Sequence, residues 1–102
     1  MAIIEHTKLT ASGLIRTGSG LFYGFLVGTD GANDPTISIF DNTTNSGAEI
    51  VPTNTYDASV LGLNGIALPG IHCTNGIYIE ITLGGGAMEI TVYHSSKYGL
   101  GP

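Results

Sequence analysis

No stretch of this chain holds an apolar face for two helical turns before a glycine breaks it. Sixteen glycines are spread through 102 residues, and β-branched side chains, which suit a pleated strand, dominate between them. With helices excluded, the chain reads as short strands separated by turn residues. The alternation is clearest near the end. In residues 76–83, Ile77, Ile79, Ile81 and Leu83 share one face while Tyr78, Glu80 and Thr82 share the other. In residues 87–94, Met88, Ile90 and Val92 alternate with Glu89, Thr91 and Tyr93. Gly84, Gly85 and Gly86 lie between them and permit the backbone of a tight reversal, so the spacing predicts a β-hairpin.

Further strands are expected over residues 14–17, 19–28, 36–41, 48–52, 56–63 and 65–73. Turns rich in Asp, Asn and Gly fall at 29–35, 42–47 and 74–76. Pro52 marks an edge or a bend. The result is roughly seven to nine short antiparallel strands at turn spacings of about 8–12 residues, the pattern of an all-β, single-domain β-sandwich of jelly-roll type. Residues 1–13 are expected to form an N-terminal arm or edge strand, 14–94 the sandwich, and 95–102 a tail that leaves the sheet.

Charge narrows the function classes. Charged residues make up 11% of the chain, against about 25% in an ordinary soluble domain. Three cations (Lys8, Arg16 and Lys97) face eight acidic residues, for a net charge of −5. Three separated cations cannot build the basic patch that nucleic acid or an anionic membrane requires, so neither is expected as a partner. A single cysteine, Cys73, excludes an internal disulfide. No run of about 18 apolar residues, and no long apolar leader, is present.

Catalytic chemistry is not expected. His6, His72 and His94 are the available bases; His72 and His94 end strands, which reads as solvated surface. Ser95 and Ser96 follow His94, but no nucleophile elbow accompanies them. Cys73 beside His72 lacks the partners of a zinc site and reads as a structural thiol. The loop of Asp30, Asn33 and Asp34 offers oxygen ligands to a cation, yet it has turn composition and no closing acid, so no metal and no cofactor is expected. Glu80 and Glu89, with Tyr78 and Tyr93, would share one outward face of the predicted hairpin, where rings could stack on a sugar. Ordinary surface side chains are the plainer reading.

Missing charge and surplus apolar surface point instead to contact. The segment around Leu21–Val27 is apolar on both faces, more than one core layer can absorb. Phe22, Tyr23, Phe25, Phe40, Tyr78 and Tyr93 are therefore the candidate interface residues of a self-associating chain.

Four patterns then carry a resemblance: Gly20-x-x-x-Gly24-x-x-Val27, Ile37-x-Ile39-x-Asp41-Asn42, Gly76-Ile77-Tyr78-Ile79-x-Ile81, and Ala87-x-x-x-x-Val92-Tyr93. Together, over most of residues 14–94, they resemble small all-β structural proteins of tailed bacteriophage virions, the capsid decoration (cement) proteins and small head or tail components. The resemblance implies a non-enzymatic virion protein, made in the bacterial cytoplasm. Such a protein would form a homo-oligomer, often a trimer, and stabilise the shell by binding the major capsid protein or another virion protein. A tail or tail-tip component, and a carbohydrate- or receptor-binding module, are the alternatives.

Overall fold

A computed structural model of the chain describes residues 4–29, 34–56, 63–82 and 88–96. Among them are eight strands and no helix: β1 (Glu5–Leu9), β2 (Gly13–Thr17), β3 (Gly20–Thr29), β4 (Thr36–Phe40), β5 (Glu49–Thr55), β6 (Leu63–Cys73), β7 (Gly76–Thr82) and β8 (Met88–Ser96). They form two four-stranded antiparallel sheets, β1-β8-β3-β6 (sheet A) and β2-β7-β4-β5 (sheet B). The pairings β1 with β8, β2 with β7, β3 with β6 and β4 with β5 describe one long ribbon of strands 1–4 running against strands 8–5. Rolled up, that ribbon brings β3 beside β8 and β4 beside β7, which is the jelly-roll β-sandwich. The Cα radius of gyration is 13.2 Å, which fits one domain of this length, about 13 Å for 100 residues.

Alternation explains the core. Ile37 and Ile39 of β4 and Ile77 and Ile79 of β7 meet Ile90 and Val92 of β8 and Val27 of β3 between the sheets, all essentially inaccessible to water. Each such side chain contributes about 1.5–3 kcal/mol by leaving water. Pro52 sits on β5, an edge of sheet B, where a missing backbone donor is tolerated. The expected strand over 48–52 is this one, extended to Thr55. Of the strand expected over 56–63, Tyr56 follows β5, 57–62 lie outside the described residues, and Leu63 opens β6.

The terminal hairpin is corrected. β7 pairs with β2 and β4, and β8 pairs with β1 and β3, so the two strands lie in opposite sheets. Alternation reports that one face of a strand is buried. It does not report whether the next strand lies beside it or across the core, and both arrangements satisfy the same pattern. The glycines at 84–86 lie outside the described residues. The tail expectation also shifts, because Ser95 and Ser96 continue β8.

Asp41 fastens one end of the sandwich. Its carboxylate accepts the backbone N–H groups of Asn75 (2.8 Å) and Thr74 (3.1 Å), clamping the β6–β7 turn. Asn75 in turn accepts the Gly18 N–H through its carbonyl at 3.1 Å. Beyond β1, the Ser12 hydroxyl accepts the Ile81 N–H at 2.7 Å, holding the β1–β2 connection against β7.

Candidate functional site

The apolar segment in β3 is resolved by a bulge. Against β8, Phe22 is opposite His94 and Gly24 is opposite Tyr93, which leaves Tyr23 as an extra residue. An extra residue reverses the alternation beyond it. Phe22 before the bulge and Phe25 after it therefore both enter the core, each 0% exposed. Phe25 meets Tyr56 edge to face, with ring centroids 5.9 Å apart at 85°. Gly24 makes the bulge possible: its φ of 127° lies in the region L side chains avoid.

The same bulge turns Tyr23 onto the outer surface of sheet A. Its hydroxyl accepts a hydrogen bond from Ser95 at 3.4 Å. Its ring lies against Gly70, where an added Cβ would come within 3.1 Å of the ring. Around Tyr23 are Leu26 of the same strand, Tyr93 of β8, Ile66, Ala67 and Leu68 of β6, and Ile4 ahead of β1. They line an open cavity of about 380 Å³. Leu26 and Ile66 are 41% and 40% exposed. Nearby charge on sheet A is self-compensating, with Lys8 Nζ 3.6 Å from Glu89 Oε1 across β1 and β8. Sheet B differs: Asp41, Glu49 and Glu80 all belong to it or its loops, and its one described cation, Arg16, pairs with Glu5 of sheet A at 3.5 Å.

The six candidate interface residues therefore separate. Phe22 and Phe25 are enclosed within the chain, and Phe40 is 8% exposed beside Tyr78 in the register of β4 and β7. Phe22 and Phe25, enclosed, cannot meet a partner, and the β3 bulge is why the strand pattern places them on opposite faces. Tyr23 and Tyr93 lie together on sheet A, whereas Tyr78 belongs to sheet B, opposite Leu14 of β2. Glu80 and Glu89 part for the same reason. Glu80 accepts from the Asn45 amide at 2.6 Å on sheet B, and Glu89 pairs with Lys8 on sheet A. The face of two tyrosines and two glutamates does not exist. Leu26 and Ala67 complete the real face, with Ile66 and Leu68 also lining its cavity, and the signal for β6 is its unbroken run of uncharged residues from Leu63 to Cys73.

His94 is corrected as well. It points into the sandwich, 4% exposed, and its Nε2 shares a hydrogen bond with the Thr7 hydroxyl at 2.9 Å. Its Nδ1 is buried with no hydrogen-bond partner among the described residues. The strand pattern already places His94 in line with Ile90 and Val92, on the inward set. Burial lowers its pKa, with the Arg16 guanidinium and then His6 adding to the effect and Glu5 opposing it. Acid therefore works against the fold here. In the unfolded chain His94 takes up a proton near its ordinary value of about 6.5, while the folded state resists it. Stability from this residue is complete above that pH and declines below it, by at most about 1.4 kcal/mol per pH unit for one proton. Urea midpoints between about pH 7.5 and pH 5 should fall, and the His94→Gln variant should lose the part of that fall beginning near 6.5. Parallel curves for the two proteins would assign the decline to other groups.

His72 and Cys73 do not act together, for His72 is exposed and Cys73 is fully buried with its Sγ donating to the Ile71 carbonyl at 3.6 Å. Burial, assisted by the Asp41 carboxylate, pushes the Cys73 thiol up to about 11, which suppresses the reactive thiolate. Of the acidic loop, only Asp34 falls within the described residues, so the cation expectation at Asp30 and Asn33 lies outside them. Among the described residues no three His, Cys, Asp or Glu side chains gather as metal ligands.

No protein family model matches this chain, and no curated protein matches it in sequence. The chain's own surface therefore carries the functional argument, and its main feature is the apolar, tyrosine-bearing patch on the outer face of sheet A.

Proposed function

We propose that this protein is a non-enzymatic structural building block that works by surface contact. In this reading it is a virion component of the capsid-decoration kind, which self-associates and holds neighbouring shell subunits together. The observation that carries the reading is the outer face of sheet A, where Tyr23, Leu26, Ala67 and Tyr93 surround an open apolar cavity. Tyrosine with aliphatic neighbours and little charge is the composition of an interface core. An apolar surface of that kind on a small domain marks a contact. The resemblance of the strand patterns to small virion proteins of tailed phages supplies the setting, and the jelly roll is an architecture shared by viral capsid and lectin domains.

Mechanically, each copy would cover apolar surface on its neighbours, and several copies acting together would convert modest contacts into durable attachment. The carbohydrate-binding alternative used Tyr78 and Tyr93 as one platform, and these stand on different sheets. Fold alone does not choose between contact partners. Light scattering coupled to size exclusion at micromolar concentration is the test. A discrete oligomer is expected, followed by co-sedimentation with purified capsids and not with tails. A monomer that binds no apolar dye overturns the self-association reading.

A further inference from the structure

The four sheet edges of this fold are not equally defended. An unpaired strand edge presents a row of free N–H and C=O groups, and proteins usually blunt it with short length, charge, proline or a bulge. β1 has five residues and carries Glu5 and Lys8; β2 has five and carries Arg16; β5 has seven and carries Glu49 and Pro52. β6 is the longest strand, with 11 residues, and it contains no Asp, Glu, Lys or Arg. It is an edge of sheet A, paired on one side with β3 and on the other with nothing among the described residues.

Its defences are confined to one end. The register with β3 jumps between Ile71, opposite Phe22, and Ala67, opposite Gly24, so Leu68, Pro69 and Gly70 leave the ladder. Before that break, Leu63–Ala67 runs in unbroken register against Gly24–Gly28. These five residues form an uncharged edge beside the apolar face, with Ile66, opposite Phe25 in the register and 40% exposed, also lining the cavity.

We infer that the edge segment 63–67 of β6 pairs antiparallel with the same segment of a second copy, across a two-fold axis perpendicular to sheet A. The occupant follows from charge and symmetry. In a chain of net charge −5, most self-contacts set acid against acid, but a segment with no charge can meet its own copy without repulsion. An antiparallel strand pair is self-complementary about a two-fold axis, so one contact satisfies the β6 edges of both copies, which no described strand covers, and closes the assembly. The joined sheet then runs β1-β8-β3-β6-β6-β3-β8-β1. Both apolar faces lie on the same side of it, and both copies of sheet B, with Asp41, Glu49 and Glu80, lie on the other.

This inference rests on the self-association reading and names its geometry. Ile66→Lys tests it, since each substitution puts two cations, one per copy, into the shared strip. Ile71→Lys is the control: it is equally exposed (39% against 40%) but lies beyond the break. Sedimentation of the full chain should show association weakened at least tenfold by Ile66→Lys and unchanged by Ile71→Lys, with the circular dichroism of both matching wild type. If Ile66→Lys fails to fold, hydrogen exchange on the wild type decides. Amides of 63–67 should slow as concentration carries the chain from monomer to dimer. An Ile66→Lys chain that associates like wild type, or exchange at 63–67 that ignores concentration, overturns the edge pairing while leaving self-association standing. A wild-type chain that stays monomeric overturns both.

Discussion

Phe25→Ala and Phe22→Ala should each cost the folded state about 3–5 kcal/mol, the range for emptying a buried aromatic site. Both rings are fully enclosed, and Phe25 also loses its edge-to-face contact with Tyr56, a geometry worth about 0.5–1.5 kcal/mol beyond burial. Against a total stability of about 5–15 kcal/mol for a domain, either change removes a large share. The pair is informative because it tests the bulge. Three positions apart on a regular strand, Phe22 and Phe25 would face opposite sides, and one truncation would be cheap. Comparable losses in urea midpoint require both rings in the core. A loss under about 1 kcal/mol for either one, the scale of an ordinary surface substitution, would remove the bulge from the fold.

Gly24→Ala should be as damaging, although it adds only a methyl group. At this position a Cβ would sit 2.2 Å from the Ile66 carbonyl oxygen and 3.0 Å from its carbon, both backbone atoms of the neighbouring strand. The φ of 127° adds conformational strain on the order of 1–3 kcal/mol. Strand β6 must move away from β3, or the bulge must straighten and expel one phenylalanine. A loss of about 3 kcal/mol or more is expected, within the range of changes that combine strain with a packing fault. Gly13→Ala is the comparison: there the new methyl group meets only the Leu9 Cδ atoms, 3.6 Å away. Thermal denaturation of the two variants should separate them clearly. Equal, small shifts would mean that β3 and β6 are not packed as described.

What could be read from the sequence follows from what each signal measures. Glycine spacing and β-branched content excluded helices, and period-two alternation located Ile37, Ile39, Ile77, Ile79, Ile90 and Val92 in the core. Those are properties of single strands. Sheet membership is a property of pairs, and the chain from Gly76 to Ser96 looks the same whether it turns beside itself or crosses the core. The bulge was invisible because Tyr23 and Gly24 interrupt nothing in the apolar pattern. They only change which way it points. That single unread residue misassigned Phe22 and Phe25 and hid the company Tyr23 keeps with Leu26 and Tyr93. Ile66 was overlooked because an uncharged edge strand resembles a core strand in composition, and only its unpaired side in the sheet reveals the difference.

The place of β8 between β1 and β3 governs how the protein is made. A ribosome delivers β1 first and β8 last, yet the register joins Glu5 to His94. Sheet A stays split into β1 alone and the β3–β6 pair until residues 88–96 have cleared the exit tunnel. During that interval the apolar sides of β3, β4 and β7 have no complete opposing layer, and pairing over such sequence distances is slow. Nascent chains of this protein should therefore remain protease-sensitive until residues 88–96 are free to pair and become resistant in one step at that point.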